Sequence, residues 1–173
     1  MHKSSFTTEI IKKLNLQPHP EGGYFRETYR AEHKVRLEGE EYSAGTSIYY
    51  LLHSYQNTQE FSAWHRLNGL DETWHYHEGV DLTIYLIDAN GELITKKLGK
   101  GEGAEYQIHI PKDQWFAALV DNPEPDAFCL ASCVVFPGFD FKNFELAERD
   151  KLAKLYPQHK DLIIKLTHAP HAI

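Results

Sequence analysis

The sequence predicts a mainly β, single-domain protein, built as an antiparallel sandwich or barrel with helices only near its ends. Three observations carry that expectation. Short apolar runs follow one another from Thr46 to Phe136, and they are rich in the β-branched and aromatic residues that suit a pleated, half-buried surface. The segments between them are turn chemistry, with no helical pattern intervening: Asn68-Gly69, Asn90-Gly91, Gly99 to Gly103 and "DNPEPD" at 121–126. The length, 173 residues, suits one domain that hides roughly 70% of its unfolded surface on folding. No internal repeat, low-complexity segment or linker divides residues 1–173.

Taken in order, Phe6, Ile10, Ile11 and Leu14 stand at helical spacing, and Pro18 and Pro20 end that element. "PEGGYFRETYR" reads as a turn at Gly22-Gly23 followed by a strand over Tyr24 to Arg30, and "AEHKVRLEGEEYS" as a charged loop. The strand-like runs are "TSIYYLL" (46–52), "EFSAWHRL" (60–67), "ETWHYH" (72–77), "DLTIYLID" (81–88), "ELITKKLG" (92–99), "EYQIHIP" (105–111), "WFAALV" (115–120) and "FCLASCVVF" (128–136). After "FPGFDF" the period changes. "NFELAERDKLAKLYP" reads as a helix stopped by Pro157, and "HKDLIIKLTH" as a second, placing a barrel core over 22–137 and C-terminal helices over 143–167.

Charge and cysteines exclude some classes. The net charge is −7 with no basic stripe, which argues against nucleic acid and against an anionic membrane surface. No apolar stretch approaches the roughly 18 residues of a membrane span. The start, "MHKSSFTTEIIKKLNL", has no apolar segment of the secretory kind. Cys129 and Cys133 lie four apart in a strand, on one face but roughly 13 Å apart. That is too far for a disulfide, so they read as buried thiols of a cytoplasmic protein.

Three constellations carry chemistry. In "GLDETWHYHEGVD" (69–81), His75 and His77 project from one side of a strand and can give two nitrogen ligands to one metal. Asp81 can add a carboxylate, and His65, on the preceding strand, can complete the set. Without a metal, the same imidazoles hydrogen-bond in a polar cavity or transfer protons. Glu72 falls on the opposite face of its strand from His75. In "HPEGGYFRETYR", Tyr24, Arg26 and Thr28 share one face, and Phe25, Glu27 and Tyr29 the other. Arg26 either holds an anionic group in a pocket or pairs on a surface strand. In "PKDQWFAAL", Trp115 and Phe116 either wall a ligand cavity or form plain core. The remaining histidines, including His2, His19, His53, His109, His159, His168 and His171, carry no assigned role. No nucleophile elbow, phosphate-cradling glycine loop or paired cysteine nucleophile is present in the sequence.

The stretch at 69–81 resembles the first motif of the cupin superfamily: a glycine, five residues, His-x-His, then three or four residues to a glutamate. Asp81 stands at the acidic position, and Gly91 later than the closing glycine. In the second motif Pro111 matches, Asp113 stands where a glycine is expected and Phe116 where a histidine is expected. More finely, "HPEGGYFRETYR", "FSAWHRL", "DETWHYHEGVDL", "IPKDQWFAA" and "VVFPGFDFKNFELAER", in order from residue 19 to about 149, are similar to a cupin subfamily of unknown function. The resemblance implies a jelly-roll barrel (a double-stranded β-helix) with a side-chain-lined cavity, in an intracellular homodimer. Sugar-nucleotide epimerases, sugar isomerases and dioxygenases share that fold, but fold does not transmit chemistry.

Three readings follow. The first is a cavity for a small polar or sugar-like ligand centred on His75 and His77, lined by His65, Tyr24, Arg26, Glu72, Trp115 and Phe116. As a metal-independent isomerase or epimerase, such a site would use His75 or His77 as base and a tyrosine, Tyr85 or Tyr24, as acid. The second is a metal-dependent dioxygenase or isomerase holding Fe, Mn, Ni or Zn on His75, His77 and Asp81. The third is a non-enzymatic metabolite-binding module.

Overall fold

Alternation of apolar and polar side chains decides which way each strand faces. The computed structural model describes residues 5–55, 58–121 and 124–169. One sheet has the order β1 (Gln17–Pro18), β2 (Tyr24–Arg30), β5 (Thr46–Tyr55), β13 (Phe128–Phe136), β8 (Asp71–Gly79) and β11 (Gln107–Ile110), with β6 (Thr58–Gln59) added to β5. The other has the order β10 (Leu93–Leu98), β9 (Leu82–Ile87), β12 (Trp115–Val120), β7 (Phe61–Leu67) and β14 (Phe144–Leu146). The strand pairs of both sheets are antiparallel.

The sheets bury their inner faces against each other. Tyr50 and Leu52 of β5, Trp74 of β8, and Cys129, Ala131 and Cys133 of β13 meet Leu82, Ile84 and Leu86 of β9 and Phe116, Ala118 and Val120 of β12. Burying side chains of this size is the main driving force for closing the two layers. Both cysteines are free, buried and on this inner face, the expectation for a core strand with four-residue spacing.

Helices cover the outer faces. α2 (Arg149–Leu155) and α3 (Lys160–Lys165) bring Leu152, Ala153 and Ile163, with the following Leu166, onto Trp64, Ile87, Trp115 and Ala117 of the smaller sheet. α1 (Phe6–Lys13), capped by Ser5 Oγ accepting from Thr8 N at 3.2 Å, lays Ile10 against Leu51, Phe128 and Leu130 of the larger sheet, beside Leu16. Among the described residues no helix is long and apolar enough to cross a membrane.

Two sequence expectations change. The helix expected from residue 143 starts only at Arg149, because Phe144–Leu146 extends and pairs with β7, Phe144 opposite Leu67 and Leu146 opposite His65. Tertiary hydrogen bonding overrides the local helical pattern there. The expected loop after Arg30 contains a hairpin, β3 (Lys34–Leu37) and β4 (Glu40–Ser43). Glu38 and Gly39 join it, both at positive φ (51° and 86°), the geometry that matches the twist of a two-residue turn.

Candidate functional site

The site begins with the turn "HPEGG". His19 N donates to Gly23 O (2.9 Å) and Gly22 N to His19 O (3.0 Å), which folds the chain tightly back. Gly22 has φ +111°, and a Cβ on it would lie 2.2 Å from the Phe61 carbonyl oxygen; one on Gly23 would lie 2.7 Å from that of Leu51. Only glycines let the backbone pass this close to β5 and β7. Ala63 N then donates to Glu21 O (2.8 Å) and the Tyr50 hydroxyl to Gly22 O (2.7 Å). These bonds hold the Glu21 side chain inside the barrel, 5% exposed.

Glu21 meets His65 of β7. Its Oε2 lies 3.0 Å from His65 Nε2, and its Oε1 accepts from Ser62 Oγ at 2.9 Å. His65 Nδ1 lies 2.7 Å from the Ala63 carbonyl oxygen. A carbonyl only accepts, so Nδ1 carries a hydrogen; Nε2 faces a carboxylate and donates as well, making the ring an imidazolium. Burial alone would push the Glu21 carboxyl up, but His65, His19 and Ser62 hold it down at about 2. Burial would likewise lower the His65 pKa, and Glu21 raises it above its ordinary value. His19 Nδ1 accepts from Glu21 N (3.2 Å). Burial lowers the His19 pKa despite the nearby Glu21, so this ring is mainly neutral at pH 7 and supports the Glu21 carboxylate by its charge only at lower pH.

Glu72 of β8 faces the same space. Burial pushes its carboxyl up to about 7; the charge of Glu21 adds to this, while the His65 imidazolium opposes it. The Trp74 indole and the Cys133 thiol lie close enough to favour the ionised form, although Trp74 Nε1 makes no hydrogen bond of good geometry. One cavity thus holds a carboxylate kept ionised and a carboxyl poised near neutrality, the separation of pKa values that divides acid and base roles. The Tyr50 hydroxyl and the Cys133 thiol are both pushed well above their ordinary values by burial, so they stay protonated.

These groups open onto a cavity of about 320 Å³. Phe25, Ile48, Leu67, Val135, Phe139 and Phe144 wall it. Glu27 and Arg30 sit at its more exposed end as a two-point ion pair, Arg30 Nε to Glu27 Oε1 at 2.9 Å and Nη2 to Oε2 at 2.8 Å; Nη2 also donates to Phe139 O at 3.0 Å.

Of the residues singled out in the sequence, His65 and Glu72 come together here. Phe116 packs behind His65, ring centroids 4.0 Å apart, and is buried in the core. The others lie elsewhere. His75 and His77 occupy the outer face of the larger sheet, because β8 turns Glu72 and Trp74 inward and its alternation forces the histidines out. His75 Nε2 lies 2.9 Å from Thr73 Oγ1, and His77 packs edge-on against Tyr49. Asp81 is at the start of the smaller sheet, where its carboxylate accepts from Lys100 N and Gly101 N. Tyr85 and Trp115 face the C-terminal helices, with the Arg66 guanidinium 4.6 Å over the Trp115 ring. Tyr24 and Arg26 are on the outer face of β2, Tyr24 beside His53 and Arg26 over Tyr49. The strand "YFRETYR" instead turns Phe25 and Glu27 to the cavity.

The metal set His75, His77 and Asp81 is therefore not assembled, and among the described residues no three His, Cys, Asp or Glu side chains are placed to hold a metal ion. The cavity donors do not fit one either. Both His65 nitrogens are engaged, by Ala63 O and by Glu21, and Phe116 stands where the superfamily pattern has a further histidine. His19, Glu21, Tyr50 and Ser62 were not anticipated from sequence. The signal available was "HPEGG", a histidine and a glutamate directly before two glycines.

Two antiparallel sheets closed around a cavity with a buried acid–base group define a double-stranded β-helix protein. The chain belongs to the cupin superfamily (DUF985), whose family model matches residues 8–147. It is similar to a solved protein of Shewanella oneidensis, 37% identical, covering 97% of this chain and 100% of that one with a TM-score of 0.84. A hypothetical protein from Leishmania major is 34% identical, covering 96% and 100%, also at 0.84. A dTDP sugar isomerase from Desulfovibrio desulfuricans shares the fold at 19% identity, covering 78% and 86%, with a TM-score of 0.51. No curated protein matches the chain significantly.

Proposed function

We propose that the cavity binds a small polar, sugar-like molecule and moves a proton on the carbon beside its carbonyl, as a metal-independent isomerase or epimerase. The observation that supports this most is the Glu21–His65 ion pair standing in the same cavity as Glu72, a carboxyl near neutral pKa. Glu72 takes the proton, the electron pair of the broken C–H bond passes to the carbonyl oxygen, and the His65 imidazolium supplies fixed positive charge near that oxygen. Glu72 then returns the proton, to the opposite face of the same carbon in an epimerisation, or to the neighbouring former carbonyl carbon in an isomerisation. In the isomerisation the hydroxyl proton of the first carbon passes to the original carbonyl oxygen, so that the first carbon becomes the new carbonyl. Because Glu21 and Ala63 hold His65 charged, its role is electrostatic and the base is Glu72.

The test is deuterium exchange. Aldoses and ketoses incubated with the protein in D₂O should gain deuterium beside the carbonyl, read by NMR. Glu72→Gln should lower the rate by about 10²–10⁴-fold, His65→Asn should also lower it, and His75→Asn should not. Exchange that survives Glu72→Gln would remove the proposed base. A sugar that raises Tm but exchanges no proton makes the cavity a binding module. We also propose a cytoplasmic homodimer, supported by the two free buried thiols and by Tyr29, 62% exposed on the strand after the glycine turn.

A further inference from the structure

We propose that Glu27 makes the cavity reject anions by neutralising Arg30, so that the occupant is an uncharged, monosaccharide-sized carbonyl compound, neither phosphorylated nor nucleotide-linked. This rests on the sugar-like reading above and narrows it.

The charges around the cavity support the inference. Among the described residues that line it, the cations are His65 and Arg30, and the acidic groups are Glu21, Glu27, Glu72 and Asp140. His65 is spent on Glu21 at 3.0 Å. Arg30 is spent on Glu27 through two nitrogens, one of which also serves the Phe139 carbonyl. Two carboxyl groups have no cation of their own: Glu72 deep in the cavity, and Asp140 at its exposed end, which adds a second acidic group beside the Arg30 already paired with Glu27. The surplus is acidic at every depth. A phosphate monoester carries about −1.5 to −2 charges at neutral pH. Inside, it would find no cation without a carboxylate partner and would face Glu72 at low effective dielectric.

Size points the same way. A cavity of about 320 Å³ stands at the small end for ligand sites, which span roughly 300–1,000 Å³. Phe25, Phe139 and Phe144 give apolar faces for the C–H surfaces of a sugar ring, and Glu72 and Tyr50 give polar atoms for hydroxyls.

The experiment titrates ¹⁵N-labelled protein with D-glucose, D-fructose and D-ribose, with glucose 6-phosphate, fructose 6-phosphate and ribose 5-phosphate, and with dTDP-glucose. The amides of Gly22 and Ala63 and the His65 ring report cavity binding. The proposal expects a neutral sugar to perturb these signals and its phosphate ester to bind at least about ten-fold more weakly. It further expects Glu27→Gln to narrow that gap by freeing Arg30. A phosphate ester or dTDP-glucose that binds the unaltered protein as tightly as the neutral sugar overturns this inference and leaves the acid–base reading standing. If no probe of either kind perturbs the cavity, the sugar-like reading falls with it.

Discussion

On the inner side of β8, Glu72 is 7% exposed and Trp74 1%; on its outer side, one residue further along the chain, His75 is half-buried and His77 exposed. All four lie within six positions of one strand. Inside, burial and the Glu21 charge carry the Glu72 carboxyl up to about 7. Outside, the His77 pKa is lowered, by partial burial and by the nearby His75, with Tyr49 edge-on beside an otherwise exposed ring. What separates a buried cavity group from a surface group is parity along the strand, since successive side chains point to opposite faces. Two histidines in the pattern of a ligand pair thus stand outside the cavity, while a glutamate three residues earlier lines it.

The contrast can be broken or sharpened by substitution. The largest effect belongs to Glu21→Gln, which leaves the His65 imidazolium buried without its counter-charge. It should cost about 3–5 kcal/mol, read as a fall in Tm; a loss below about 1 kcal/mol would mean that the pair is not ionised. The pH dependence has a definite sign. Glu21 titrates below its ordinary value when folded, so its contribution is present above about pH 4.5 and is lost as pH falls toward 2.

Next comes Glu72→Gln, with the opposite sign. Its folded pKa lies above its unfolded one, so the wild-type carboxyl is neutral in both states at low pH and costs stability as pH rises from about 4.5 through 7. The amide should stabilise the protein at pH 8 by on the order of 2–3 kcal/mol and have little effect at pH 4, measured by denaturant unfolding at both values. A pH-independent difference would show that Glu72 is not the group poised near neutrality.

Ser62→Ala removes one donor to the Glu21 carboxylate and should cost about 1–2 kcal/mol by the same unfolding measurement. At the small end, His75→Ala and His77→Ala should each fall within about 0.5 kcal/mol and leave the His65 ring signals unmoved. A large shift of those signals would join the two faces into one site after all.

Much of the architecture was legible because it is local. The runs "WFAALV" and "FCLASCVVF" declare strands by composition, and the glycine-centred turns between runs declare antiparallel connections. The site was legible only in part. His65 and Glu72 could be named, but which face of "ETWHYH" turned inward depended on weighing Trp74 and Tyr76 against Thr73, His75 and His77. The more apolar set, Trp74 and Tyr76, packs with the core, and Glu72 goes in with it. The same weighing of "YFRETYR" would have placed Phe25 inside and Arg26 outside. Glu21 was harder to see, because its role requires a turn that threads against β5 and β7, strands that lie well downstream of it in sequence.

By itself, then, the sequence determined the strand content, the superfamily and the pair of buried, unlinked thiols, all of which follow from periodicity and motif spacing along the chain. Only the tertiary structure decided that Glu21 reaches His65, that Asp81 closes a glycine turn instead of joining His75 and His77 in a ligand set, and that Phe144–Leu146 pairs as a strand instead of coiling. Those outcomes depend on which backbones approach closely and which face each sheet buries, and both are settled by packing between segments that no local pattern connects.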